Sequence, residues 1–117
     1  MIKFVSLKRS KDFRTILSKN RFNSNYFTMF YEKSINNPKK KMNKLNISFV
    51  AKKKIGGAVK RNKIKRRLKF AVQKLLKNKY KINLNFTYVI LAKSKIFDDE
   101  FSKIFNQIKT AFNKVKC

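Results

Sequence analysis

A chain of 117 residues with 32 Lys and Arg against 5 Asp and Glu carries a formal net charge of +27, yet 43% of it is hydrophobic. That length fits one domain, 1–117, and that hydrophobic fraction excludes the disordered class, which pairs high charge with low hydrophobicity. A field this positive repels itself unless a polyanion neutralises it, which points first to nucleic acid and second to an anionic membrane surface.

Ser10 followed by Lys11, Asp12, Phe13, Ile16 and Leu17 predicts a short capped helix, with the three apolar residues on one face. Polar residues follow, with room for a short strand near Arg21 to Asn25. Tyr26 to Tyr31 is aromatic and β-favouring, so a strand is expected there. Ser34 to Pro38 marks a turn, and the basic run through Lys44 a solvated loop. A second strand is expected over Leu45 to Ala51. Gly56 and Gly57 then break the chain before a helix from about Ala58 to Leu76, whose apolar stripe is Ile64, Leu68, Ala71, Val72 and Leu75. Phe70 lies off that stripe, which leaves it partly exposed or packed on a loop. Leu84 to Ala92 predicts a third long strand. Asp98, Asp99 and Glu100 place negative charge at the start of a last helix, where the dipole favours it. That helix has the cleanest stripe: Phe101, Ile104, Phe105, Ile108, Ala111, Phe112 and Val115. The order α-β-β-(β)-α-β-α predicts an α/β (α+β) two-layer sandwich, a small mixed sheet with helices packed on it.

What the chain lacks narrows its chemistry. It has no His and a single Cys, Cys117, so no ordinary zinc site, Cys-His dyad or Ser-His dyad can form within it. A reduced, cytoplasmic setting fits that cysteine count. The acids are Asp12, Glu32, Asp98, Asp99 and Glu100, and three are consecutive, which is unsuited to convergent metal ligation in a protein nuclease. No catalytic residue and no metal ligand is therefore expected. The longest purely apolar run, Tyr88 to Ala92, is too short to span a bilayer, and the helical stripes are too narrow to lie in lipid.

The segment Lys52 to Lys69 concentrates the basic charge: Lys52, Lys53, Lys54, Lys60, Arg61, Lys63, Lys65, Arg66, Arg67 and Lys69, with no acid among them. At 100° per residue, Lys63, Arg66 and Lys69 point away from the apolar stripe, Lys60 and Arg67 flank it on one side, and Lys65 on the other. Gly56 and Gly57 allow unusual backbone angles and close approach of a ligand, and the helix start exposes free N–H groups to phosphate. Arg61 projects near the apolar side. It is expected to reach past the core into a cleft, the alternative being a bond to a backbone carbonyl.

This segment resembles the signature of the bacterial ribonuclease P protein subunits. Lys53-Lys54-Ile55-Gly56, Ala58-Val59, Arg61-Asn62 and Lys65-Arg66 stand in the family's order and spacing. Lys11-Asp12-Phe13, Phe27 with Phe30, and Tyr88 to Lys93 extend the similarity over most of the chain. Lys52, Gly57, Lys69 and Lys93 replace residues usual in that family, the last two by exchanging an Arg fork for an ammonium. The resemblance implies an accessory subunit of a ribonucleoprotein endonuclease whose RNA carries the chemistry. Its expected partners are that catalytic RNA and precursor tRNA, whose 5′ leader is removed, with no membrane and no small-molecule cofactor. Mg²⁺ is expected to be held mainly by the RNA. The implied fold includes a left-handed β-α-β crossover, against the usual rule. Carried over by position, Arg61, Asn62, Lys65 and Arg66 are the central RNA contacts, and Lys53, Lys54, Lys60, Lys63, Arg67 and Lys69 the surrounding phosphate contacts. Phe13 and Phe30 are the expected leader-cleft residues, since an exposed aromatic can stack on an unpaired base. A ribosomal protein or other structural RNA binder of the same topology is the alternative, which accounts equally for charge, size and fold but leaves the ordered motif unexplained.

Overall fold

The computed structural model describes residues 3–5, 20–33, 44–78, 82 and 86–115. The expected helix around Ser10 and Phe13, the turn at Ser34 to Pro38 and Cys117 lie outside the described residues. Five strands form one mixed sheet: β1 (Lys3–Val5), β2 (Asn20–Asn23), β3 (Phe27–Lys33), β4 (Lys44–Val50) and β5 (Phe86–Ala92), in the spatial order β1-β4-β5-β3-β2. β1, β4 and β5 run parallel, while β3 is antiparallel to both β5 and β2. Helix α1 (Ala58–Lys77) connects β4 to β5, and helix α2 (Phe101–Asn113) follows β5. β1 is absent from the expected order, because three residues are too few to show alternation.

The stripe positions explain the packing. Ile64, Leu68, Ala71, Val72 and Leu75 of α1 are buried, as are Ile104, Ile108, Ala111 and Phe112 of α2. They meet one face of the sheet, built from Phe27 and Met29 on β3, Leu45 and Ile47 on β4, and Tyr88 and Ile90 on β5. Tyr88 anchors this core: its ring meets Phe112 edge-on at 4.9 Å, and burial raises its phenol pKa well above the ordinary value. Strand residues alternate between faces, so Phe30 and Val89 point the other way and form a second small buried cluster with Val50 and Leu91 at its margin. This two-sided burial explains why β5 reads as an almost unbroken apolar run.

A short segment joins the sheet to α2. A 3₁₀ turn (Ser94–Phe97) buries Ile96, and Asp98 to Glu100 lead into the helix. The Tyr26 hydroxyl donates to Asp99 Oδ2 at 2.7 Å, and the Glu100 N–H donates to Asp99 Oδ1 at 2.9 Å. The Tyr26 bond is the main cause that holds the Asp99 carboxyl below its ordinary pKa, and the same bond raises the phenol of Tyr26. A depressed carboxyl contributes stability above its unfolded value of about 3.9 and loses it as pH falls through the folded value. A raised phenol contributes below its unfolded value of about 10 and loses it as pH rises further. Tyr26→Phe is therefore expected to destabilise the fold between about pH 4 and pH 10, with the difference from the parent shrinking on either side. Urea unfolding of both proteins at pH 3 and pH 7 checks this, and a difference equal at both pH values would contradict it.

Candidate nucleic-acid interface

The strand expected to run to Ala51 stops at Val50, so Lys53 and Lys54 do not sit on its end. They occupy a 3₁₀ turn (Lys53–Ile55), closed by the Ile55 N–H to the Lys52 carbonyl at 3.0 Å. Lys52, Lys53 and Lys54 are all exposed. Gly56 has φ 156°, and a Cβ there would fall 2.8 Å from Cδ of Lys60, so the turn into the helix requires glycine. Gly57 is different: its φ is −71° and a Cβ would meet nothing within 4 Å, so a side chain fits there. Gly57 precedes a helix start with neither a side-chain cap nor an acid in the first turn. That leaves the positive end of the helix dipole open to an anion.

The motif's polar side chains take three directions, with Lys63 shared between the first two. Asn62, Lys63, Arg66 and Lys69 are exposed on the outer face of α1, with Lys65 half-buried beside them. Lys60 and Lys63 bend over the ring of Phe97, with Nζ at 5.1 and 4.5 Å from its centroid. Arg61 and Arg67 turn toward backbone carbonyls. Arg61 Nε donates to the Gly56 carbonyl at 3.1 Å, which corrects the expectation that it reaches into a cleft and selects the alternative. Arg67 is expected from the motif to meet phosphate. Instead its Nη1 donates to the carbonyls of Ile96 (2.6 Å) and Phe97 (3.0 Å), and its Nη2 to that of Asp99 (2.7 Å). Three bonds commit most of the guanidinium's donors to holding the segment before α2 against α1.

The basic surface continues around the helix start. A groove of about 530 Å³ opens at the carboxyl ends of the parallel strands β4 and β5, lined by Lys52, Lys54, Lys60 and Lys93 with Thr28 and Leu91 on its floor. This is the end of a parallel sheet at which ligands commonly bind. Lys93 Nζ donates to the Ser24 carbonyl at 2.6 Å and to Asn23 Oδ1 at 3.0 Å, which fixes the ammonium at the rim. Lys52 and Lys93 are absent from the contacts expected on sequence grounds. The signal lay in the parallel pairing, since Val50 opposite Leu91 brings the residues after both strands together, and composition does not reveal that pairing. Thr28 and Leu91 pair across β3 and β5 next to Phe30 and Val89, so the groove and Phe30 share a sheet face. Phe30 itself is only 6% exposed, so it offers no open stacking surface. Phe13 lies outside the described residues.

A small mixed sheet carrying an acid-free basic helix beside a lysine-lined groove defines an RNA-binding protein of the α+β class. The family model for Ribonuclease P matches residues 1–116. The chain is 36% identical over 103 residues to the ribonuclease P protein component of Carboxydothermus hydrogenoformans, covering 87% of this chain and 83% of that one. It is 32% identical over 117 residues to the same component of Mesomycoplasma hyopneumoniae, covering 99% and 96%. The fold matches the RNase P protein from Thermotoga maritima with a TM-score of 0.71 at 21% identity, over 97% of this chain and 99% of that one. The chain belongs to the ribonuclease P protein family. With that membership come RNA binding, 5′ maturation of tRNA and the role of accessory subunit in a ribonucleoprotein endoribonuclease.

Proposed function

We propose that the two basic surfaces divide the work of this subunit. The outer face of α1, through Asn62, Lys65, Arg66 and Lys69, docks on the catalytic RNA. The groove beside Phe30 takes the single-stranded 5′ leader of precursor tRNA, with Lys52, Lys54, Lys60 and Lys93 meeting its phosphates. The observation that carries this reading is the separation of the two surfaces: α1 presents one set of cations to solvent, while its N-terminal turn and the ends of β4 and β5 enclose another. A groove lined by four lysines suits a single strand, whose backbone it can track while neutralised phosphates release counterions.

Mg²⁺ belongs to the RNA in this proposal. Among the described residues no group of three or more acids or other metal-ligating side chains gathers, and ammonium groups surround the groove, where they repel a dication. The protein's contribution is electrostatic and positional, holding the leader so that the RNA's reactive phosphate meets its ions. No small-molecule cofactor is needed for that role. Among the described residues no helix is long and apolar enough to cross a membrane, and a cytoplasmic setting, where precursor tRNA is found in bacteria, is part of the proposal.

Cleavage of a leader-bearing precursor tRNA by a bacterial ribonuclease P RNA at low Mg²⁺, with and without this chain, tests the reading. Cleavage is expected only with both components. Tight RNA binding without stimulation would instead favour a purely structural RNA-binding role.

A further inference from the structure

An aromatic surface lies on the outer side of the α1–α2 seam, beside the basic outer face of α1. Phe70 is 56% exposed, and it stands in a contiguous aromatic cluster rather than alone, the arrangement that marks an interaction site. Its ring centroid lies 5.2 Å from that of Phe101, and Phe101 stacks on Phe105 at 6.3 Å with an interplanar angle of 23°. Both partners are themselves only partly buried. Lys74 Nζ lies 5.6 Å from the Phe101 centroid and 5.4 Å from that of Phe105. The result is an aromatic ledge with an ammonium beside it.

The ledge adjoins the basic face of α1. Arg66 precedes Phe70 by four residues and Lys74 follows it by four, so all three share one side of the helix. Val59, 82% exposed, is eleven residues before Phe70 and projects in nearly the same direction. Neither α1 nor α2 contains an acidic residue. A second copy of this chain would bring another acid-free pair of helices against the first, which repulsion opposes. An anionic partner with flat apolar rings matches both features, and single-stranded RNA supplies phosphates and bases at adjoining positions.

We propose that Phe70, backed by Phe101, is a stacking site for an unpaired nucleobase of the RNA partner, next to phosphates held by Arg66 and Lys74. This deepens the RNA-binding reading and rests on it. It assigns to the α1–α2 seam a contact with the faces of bases, beside the phosphate contacts of the basic helix face.

The chain has no tryptophan, so Phe70→Trp introduces a single reporter ring at the site. Titration of the full-length variant with a bacterial ribonuclease P RNA is expected to quench its fluorescence, whereas heparin, a polyanion without bases, is expected to bind without quenching. At fixed salt, Phe70→Leu is expected to bind the RNA roughly 5- to 100-fold more weakly with an unchanged salt slope, while Phe70→Tyr retains the parent affinity. Parent-like affinity in Phe70→Leu, or equal quenching by heparin, would overturn the stacking site while leaving RNA binding intact. Self-association abolished by Phe70→Leu would assign the ledge to a second copy. A parent chain that failed to bind RNA would remove both readings together.

Discussion

Reversing the charge at Arg66 and Lys69 together, by Arg66→Glu and Lys69→Glu, is expected to weaken association with the catalytic RNA by roughly 100-fold near physiological salt. Both side chains are exposed on the outer face of α1, so each reversal replaces an attraction to phosphate with a repulsion. The salt dependence carries the sharper signature. Losing two phosphate contacts should reduce the slope of log affinity against log salt by about two. Folding should be untouched, because exposed substitutions away from packed features move stability by about 0.5 kcal/mol or less. Four units of positive charge are removed from +27, leaving +23, and the lower self-repulsion works in favour of the fold. Filter binding across a salt series, with urea unfolding in parallel, checks both halves. An unchanged salt slope would remove this face from the interface.

Arg67→Ala is expected to do the opposite, destabilising the protein by about 2–4 kcal/mol. Arg67 satisfies three carbonyls at the 3₁₀ turn and the lead-in to α2, at residues 96, 97 and 99. Those carbonyls belong to backbone outside the sheet and helix ladders, so the guanidinium supplies partners that the local chain does not. Its removal also loosens the segment that seats Ile96 in the core and presents Asp99 to Tyr26. A melting temperature lower by roughly 10 °C is the expected readout for a chain of this size. Arg67→Lys should recover only part of it, since one ammonium cannot span three carbonyls in a fixed plane. RNA affinity measured well below the melting temperature should fall much less than in the Arg66 and Lys69 double variant. The reverse ranking would return Arg67 to the RNA interface.

These two neighbours on one helix show where sequence reading reached its limit. The apolar stripe of α1 was legible because five buried positions repeat at helical spacing, and every one of them is buried in the core. The strands β3, β4 and β5 were legible to within a few residues, because aromatic and β-branched runs bounded by polar or glycine residues have few other solutions. The roles of Arg61 and Arg67 were not legible. A helical wheel gives the direction in which a side chain leaves its helix, but not which carbonyl arrives there from another part of the chain. The carbonyls that hold Arg67 lie 29 to 32 residues away and reach it only when β5 and the turn after it return to α1. β1 escaped for a simpler reason: three residues show no period, and only the parallel pairing with β4 makes them a strand.

By itself, the sequence determined the partner class, the two-layer fold and the helix that carries the basic motif. Charge and hydrophobic period are sums over many residues, and no single neighbour can reverse them. The tertiary structure alone decided which cations are free. It spent Arg67 on carbonyls, tied Arg61 back to Gly56, and drew Lys52 and Lys93 together across parallel strand ends into a groove. A cation's role depends on which donor or acceptor lies within about 3 Å, and that distance is set by chain segments far apart in sequence.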